Sequence, residues 1–439
     1  MPKRTKKQVK RKTARSARAK ASVKALPPDE PEILSLCISC AKHPALKSFV
    51  KRCGEKGHEC GICHRTDQLA SPPSVHTALS SLVRALVRFY YDEWIYNGHW
   101  GGDEEPEALL CHENAIVEHA KTPGFTRTAQ DSEVFLTTLF DPPYPDYDKG
   151  IAVYAGHHDG IGRLPPMSAI STSMSPVYRG IKDRLKHENY FEIQDEFEKR
   201  LATFDSELAA ALPAGTVLFR ARQGVARRYI RGFGWEAETI YQPYLGKEIG
   251  APPPPRATAG RLNREGVSFL YLATDEKTAA AELRPHPGHY LSVAAFRSTK
   301  NLRVIDFGAI DIGSFSSSDV RLDMFYLGHT ISREIGLPII PEERHRYSIT
   351  QLLADIVRRR GFDGIRFPSS LGTGSNYCIF KPALFKAQDR SAKVVYIKRL
   401  HYDIENAAHL IKPTDGGSRS TSTGCSRPAT RCASPPTTS

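Results

Sequence analysis

Two pairs of cysteines, Cys37-x2-Cys40 and Cys60-x2-Cys63 with nineteen residues between them, constrain this chain more than any other feature. Two residues between sulfurs let one tight turn present both thiolates, and two such knuckles supply the four ligands of a tetrahedral Zn²⁺. Gly54, Gly57 and Gly61 permit the turns that this requires. Four thiolates close the coordination shell, so a structural ion is expected; the competing reading is a pair of redox C-x-x-C motifs. Cys53, His58 and His64 lie close by and are expected to support the ligands or stand apart from them. The remaining cysteines, Cys111, Cys378, Cys425 and Cys432, are scattered, which fits a reducing compartment rather than a disulfide framework.

The segments around this module divide by texture. Leu79, Leu82, Val83, Leu86, Val87, Tyr91 and Trp94 recur at helical spacing, and Asn97-Gly98 is expected to close that helix. A proline-rich break follows at 141–150, then a second helical stretch at 190–211 with Phe197, Leu201, Phe204 and Leu208 on one side. After "LPAG" (212–215), strand-like runs alternate with short helices: "TVLFRAR", "SFLYLA", "HYLSVAAF", "NLRVIDF", "FDGIRFP" and "KVVYIKRL". One further helix is expected over Gln351 to Arg360, with Gly361 just past its end. The resulting division is a disordered basic arm (1–30), a zinc ribbon-like module (31–70), a mainly helical region (71–211), an α+β domain (212–404) and a disordered low-complexity tail (405–439).

Charge is concentrated at one end. The chain of 439 residues carries a formal charge of +13, and its first 24 residues hold eleven Lys and Arg with no acid. Without them the balance is 13 − 11 = +2, so the body is nearly neutral. Such an arm can hold nucleic acid through counterion release or serve only as a solubilising tail. No run of 18 apolar residues and no apolar leader occur, so neither a membrane span nor a signal peptide is expected, and the protein is placed in the cytoplasm.

The stretch "YLATDEKTAAAELRPHPG" (271–288) poses a local puzzle. A strand ends near Leu272, Thr274 is the expected N-cap, and Asp275 and Glu276 fill the first helical turn. Ala279, Ala280 and Ala281 let this helix approach a neighbour closely, and Pro285 ends it by excluding Arg284 from the α region. Glu282 thus falls in the last turn, where a carboxylate gains nothing from the helix dipole. Elsewhere, Arg220 and Arg222 share a face of "LFRAR", and Arg261 lies in "AGRLNREG". Guanidinium forks suit a pyrophosphate, whereas no P-loop or G-x-G-x-x-G turn is present.

In this order, "LFRAR", "AGRLNREGVSFLYLATDEKTAAAELR" and "GFDGIRFPSSLGTGSNYCIF" closely resemble the RES domain over roughly residues 213–400. The double C-x-x-C and "IKDRLKHENYF" (181–191) are similar to the zinc-bearing region that precedes a subset of such domains. The resemblance implies a fold like that of ADP-ribosyltransferases and an activity on NAD⁺, known from toxins of toxin–antitoxin pairs. The nicotinamide–ribose bond would be cleaved by phosphorolysis or hydrolysis. By motif, the family's arginines fall on Arg220 and Arg261, its tyrosine on Tyr271, its glutamate on Glu282 and its serine on Ser369, with Ser370 as the alternative should the turn be shifted by one.

In that scheme Glu282, Tyr271 and Arg220 are the catalytic set. Arg261, Ser369 and Ser370 join them in binding NAD⁺ and, in the phosphorolytic case, inorganic phosphate. An antitoxin-like protein is the implied partner. Arg264 stands where the family commonly has proline, and the long N-terminal half departs from compact toxins. Two competing functions are an ADP-ribosyltransferase acting on a protein or nucleic acid, and a zinc-ribbon nucleic-acid-binding protein with an inert RES-like domain.

Overall fold

A computed structural model of the chain describes residues 35–96, 106–111, 114, 116–118, 129–140, 168–337, 347–401 and 404. The basic arm, Asn97-Gly98, the break at 141–150 and the low-complexity tail lie outside the described residues. Helices come first: α1 (Pro44–Cys53), α2 (His76–Tyr90), α3 (Glu93–Tyr96), α4 (Pro106–Cys111), α5 (Ala129–Phe140), α6 (Pro176–Arg184), α7 (Tyr190–Ala202) and α8 (Asp205–Leu208). Next come β1 (Ala209–Leu212), β2 (Val217–Gln223), β3 (Arg227–Arg231), β4 (Glu238–Gln242), β5 (Leu270–Ala273), α9 (Glu276–Ala281), β6 (Tyr290–Ser298) and β7 (Leu302–Asp306). α10 (Asp319–Gly336), α11 (Ser348–Arg359), β8 (Gly364–Pro368), β9 (Ser375–Ile379), β10 (Phe385–Ala387) and β11 (Lys393–Tyr396) complete an α+β architecture.

The helical periodicity is real, but the chain breaks it where side-chain pattern alone does not show. Tyr91 turns extended as the C-cap of α2, its N–H donating to Val87 O, so α3 is a separate turn rather than the continuation to Asn97 expected above. The stretch 190–211 likewise stops at Ala202, forms the single turn α8, and becomes strand β1 at Ala209. β1 pairs with β7 from Ala209↔Ile305 to Leu212↔Leu302, so a boundary at residue 212 would pass through the last residue of a sheet strand. α11 follows its expected pattern, with Leu352, Leu353, Ile356 and Val357 buried and Gly361 at φ +82°. Each such buried aliphatic side chain contributes about 1.5–3 kcal/mol relative to an exposed one.

Nine strands form one sheet in the order β1-β7-β8-β9-β5-β2-β6-β10, with β11 also on β6. Only β7 and β8 run parallel; the crossover between them carries α10 and α11. The register aligns Phe219, Ala273, Asn376 and Phe367 in one row across β2, β5, β9 and β8. That row faces α9, α10 and α11, while Leu218, Leu272, Tyr377 and Phe296 face the other way, onto Ile249. β2 and β5 are matched at one position only, Phe219↔Ala273, and splay apart elsewhere. β3 and β4 form a separate hairpin whose tip exposes Phe233 and Trp235 completely. The N-terminal helices share a core with this sheet, because Tyr178, Phe197 and Phe204 cluster with Ile331, Ile335, Leu352 and Ile356.

Candidate functional site

A cavity of about 300 Å³ opens on the helical side of the sheet, over the row Phe219, Ala273, Asn376 and Phe367. Ala279, Glu282 and Leu283 form one wall, and Arg261 and Tyr271 another. Four of the residues expected from the sequence (Arg220, Arg261, Tyr271 and Glu282) therefore line one cleft, and Ser369 reaches it through Glu282.

Glu282 is presented by α9 and its cap. Asp275, one residue later than the expected Thr274, is the N-cap, its Oδ1 accepting from Thr278 N at 2.8 Å and its Oδ2 from Thr278 Oγ1 at 2.7 Å. Burial alone would raise the Asp275 carboxyl, but these bonds and one from Thr274 hold it below the usual carboxylate range. Thr278 Oγ1 accepts from Gly374 N at 3.2 Å, and Thr274 Oγ1 from Ser375 N at 3.0 Å. The Gly-rich turn is thereby tied to the start of α9. Its glycines are needed for contact rather than flexibility: a Cβ on Gly374 would lie 2.3 Å from both Asp275 Oδ2 and Thr274 Oγ1. At the other end Glu282 is the C-cap, and Arg284 adopts φ +46° before buried Pro285, the departure from the α region that proline imposes on its predecessor.

The carboxylate itself is held on one side. Ser369 Oγ donates to Glu282 Oε1 at 2.7 Å, and Asn376 Nδ2 donates to the same oxygen at 2.6 Å. Ser369 Oγ also accepts from the N–H groups of Leu371 and Gly372 at 3.2 and 3.1 Å. Ser370 is exposed in the same turn and makes no contact with Glu282 among the described residues. Asn376 went unread in the sequence, where "GTGSN" looks like turn chemistry; only the register of β9 against β5 and β8 puts its side chain beside Glu282.

The two strand arginines separate. By alternation both leave the sheet on the side away from Glu282. Arg220 turns back through the splay between β2 and β5, its Nε donating to Ile249 O and its Nη1 to Tyr271 O, both at 2.8 Å. Arg222 instead lies over the Tyr244 ring, 4.1 Å from its centroid, and donates to Glu248 O. It does not line the cleft. Loss of hydration, with Arg222 nearby, lowers the Arg220 guanidinium to about 10, still a cation at neutral pH. Arg261 Nη1 donates to Ile335 O at 2.8 Å, at the end of α10. Neither Arg220 nor Arg261 has a carboxylate partner among the described residues.

Tyr271 lines the cleft with its ring. Its hydroxyl donates to Asn263 Oδ1 at 2.8 Å and accepts from Leu262 N at 3.1 Å, so it fastens the Arg261 loop and offers the cleft only its ring. Burial pushes that hydroxyl well above the usual tyrosine range. Asn263 in turn donates to the carbonyls of Thr258, Arg264 and Val267, and Gln351 donates to those of Gly260 and Asn263.

The sulfurs of Cys37, Cys40, Cys60 and Cys63 gather in a second, buried cluster, all within 4.8 Å of one another. Cys37 N donates to Cys60 Sγ at 3.4 Å, and the sulfurs of Cys37 and Cys63 are 3.6 Å apart. Mutual hydrogen bonding draws the Cys37 and Cys63 thiols down, Cys63 to about 7. Cys40 and Cys60 are pushed up by the same hydrogen bonds. Gly61 brings the second knuckle against α5, where a Cβ would meet the Phe135 ring at 2.2 Å. Cys53 donates to Phe49 O instead, and His64 pairs with Glu59 at 2.9 Å.

Residues 230–403 match the family model described as the RES domain. Arg220 lies ten residues before that span. No match was found among curated proteins. Among solved structures, the chain is similar to one in the crystal structure of the M. tuberculosis MbcT–MbcA toxin–antitoxin complex. The two are 13% identical, with 46% of this chain and 91% of that chain covered and a TM-score of 0.25.

Proposed function

Because the chain carries a RES domain across residues 230–403, we propose that its cleft degrades NAD⁺ by cleaving the bond between nicotinamide and ribose. One observation carries this reading: two arginines without acidic partners and one carboxylate with an uncommitted oxygen, among the described residues, line the same cleft. The arginines suit the pyrophosphate, to which guanidinium groups make charge-assisted bonds. Glu282 suits the ribose, where departure of nicotinamide builds positive charge at C1′.

The chemistry needs little else. The C1′–N bond breaks with both electrons going to the pyridinium nitrogen, so nicotinamide leaves neutral and needs no general acid. A carboxylate beside the sugar lowers the energy of the oxocarbenium-like transition state. Water then adds to C1′ and loses its proton to give ADP-ribose, or phosphate adds through an oxygen to give ADP-ribose 1′-phosphate. Ala279 has no bulk to hold the sugar away from α9, and the Tyr271 ring packs beside it.

Transfer of ADP-ribose to a macromolecule is the second reading. It is favoured by the β3–β4 hairpin, which leaves the sheet just after Arg220 and presents Phe233 and Trp235 to solvent. The four-cysteine cluster would hold a structural Zn²⁺: sulfurs about 2.3 Å from one ion sit about 3.8 Å apart at tetrahedral corners, close to the 3.6 Å between Cys37 and Cys63.

The test is NAD⁺ loss by the purified full chain, with and without inorganic phosphate, beside Glu282→Ala. Turnover that falls by on the order of 10³-fold in the variant is expected. Phosphate dependence would identify phosphorolysis. Undiminished turnover in Glu282→Ala would sink the assignment, and NAD⁺ consumed only when a macromolecular acceptor is added would select the second reading.

A further inference from the structure

We infer that Asn376 is a positioning residue for this reaction, setting which oxygen of Glu282 meets the ribose. The inference rests on the reading of Glu282 given above and goes beyond it. Asn376 is buried, 6% exposed, near the middle of the sheet, where β9 pairs on one side with Ala273 and on the other with Phe367. Its backbone is thus fixed by two neighbours, and its amide projects into the cleft from a rigid element rather than a loop. Nδ2 donates to Glu282 Oε1 at 2.6 Å, and Ser369 Oγ donates to that same oxygen at 2.7 Å.

Two donors on one oxygen have a geometric consequence. A carboxylate held through a single hydrogen bond can still rotate about its terminal torsion, which is broad and nearly two-fold. Two donors arriving from different elements, β9 and the 369–374 turn, fix both the plane of the group and its end. Oε2 accepts no hydrogen bond among the described residues, so it is the oxygen left to face C1′ and a ribose hydroxyl. Both donors are neutral, so unlike a guanidinium they add no positive charge to offset the carboxylate. Asn376 holds Glu282 through this hydrogen bond and acts on the rate through the orientation of that carboxylate.

The choice of amide is therefore specific. Aspartate has the same shape, but Asn376→Asp places a second carboxyl 2.6 Å from the first. Two carboxylates that close cannot both ionise easily, and one of them is driven to hold a proton. While that proton is present the introduced carboxyl can still donate to Glu282; once it leaves, the two repel. The charged groups facing this pair across the cleft are Arg220 and Arg261. The Arg220 guanidinium, lowered only to about 10, and the Tyr271 hydroxyl, pushed well above the usual tyrosine range by burial, supply no titration between about pH 5 and pH 9.

The experiment compares steady-state NAD⁺ turnover by the full chain, Glu282→Ala, Asn376→Ala and Asn376→Asp, each across pH 5 to 9, with melting curves to show that the variants fold. Asn376→Ala is expected to lower kcat by on the order of 10- to 100-fold with KM changed less than about threefold, because orientation and not affinity is lost. Asn376→Asp is expected to regain activity at the acidic end and lose it as pH rises, relative to the unsubstituted chain. A purely structural Asn376 would lower stability without introducing this pH dependence. If Glu282→Ala is inactive while Asn376→Ala keeps its kcat and Asn376→Asp keeps the parent pH profile, the inference fails and the reading of Glu282 stands. If the unsubstituted chain leaves NAD⁺ intact, or Glu282→Ala turns over normally, both are overturned.

Discussion

Arg220 holds two main-chain carbonyls, those of Ile249 and Tyr271, from inside the splay between β2 and β5. Replacing it with methionine keeps the stem and removes both donors and the charge. The expected result is a KM for NAD⁺ raised at least tenfold, together with a stability loss of about 1–3 kcal/mol for the stranded carbonyls, read from steady-state kinetics and denaturant melts. Arg222→Met is the comparison, since that side chain lies outside the cleft. At this scale the sequence reads what lies within one motif: Glu282, Tyr271 and Arg261 are legible there and line one cleft, which Ser369 reaches through Glu282. Partners supplied by register were invisible. Alternation correctly put Arg220 and Arg222 on one face, yet only the gap between strands decides that one of them returns to the cleft. Nothing in the order of residues reveals that Asn263 and Leu262 engage the hydroxyl of Tyr271.

Among the elements, α9 shows how a six-residue helix can be placed reliably. It is too short to be stable alone, so its position comes from its ends: Thr274 and Thr278 grip the Gly-rich turn, and Glu282 is bonded back to the same turn through Ser369. Asp275→Ala should lower stability by about 1 kcal/mol at neutral pH, the usual effect of losing an N-cap. The native Asp275 carboxyl is depressed below its unfolded value, so its contribution is complete above about pH 4 and fades as pH falls through the native value. The difference in stability between the parent and Asp275→Ala should therefore be constant from neutrality to about pH 4 and narrow below it; chemical denaturation at stepped pH checks this. The alanines, the terminating proline and the strand before them were legible as local propensities. The N-cap was misplaced by one residue because Thr274 and Asp275 are both good caps, and the tie to Gly374 that selects Asp275 spans about 100 residues, as in the Ser375 N–Thr274 Oγ1 bond.

At the scale of the whole molecule, the N-terminal half is less an attachment than a share of the core. α6 packs on α10 and α7 on α11. Arg264 Nη2 and the Tyr190 hydroxyl both reach Asp355 Oδ2, at 2.6 and 2.8 Å. The arginine that departs from the family's usual proline thus joins the Arg261 loop to the helical region. Division by composition placed a boundary at 212 because strands begin there, but hydrophobic burial ignores that change of texture. The cysteine cluster anchors the far end of this continuous body. Prolonged chelation is expected to release about one zinc per chain, expose four reactive thiols and lower the melting temperature by several degrees, with metal analysis and thiol titration as the measurements. Cys60→Ser should reproduce the loss without chelator.

The splay between β2 and β5 also bears on how the sheet behaves as a body. A continuous ladder would make β2 and β5 move as one plate; a single matched position makes them two plates sharing a pin at Phe219 and Ala273. To one side lie β2 and β6 with Arg220; to the other lie β5, β9 and β8 with Tyr271, Asn376 and the turn that holds Glu282. A dinucleotide gripped by Arg220 at its phosphates and by Glu282 at its sugar would span the seam, acting as the cross-strut that the backbone omits. In that reading the sheet without substrate would be the more compliant form, and a bound dinucleotide would stiffen it.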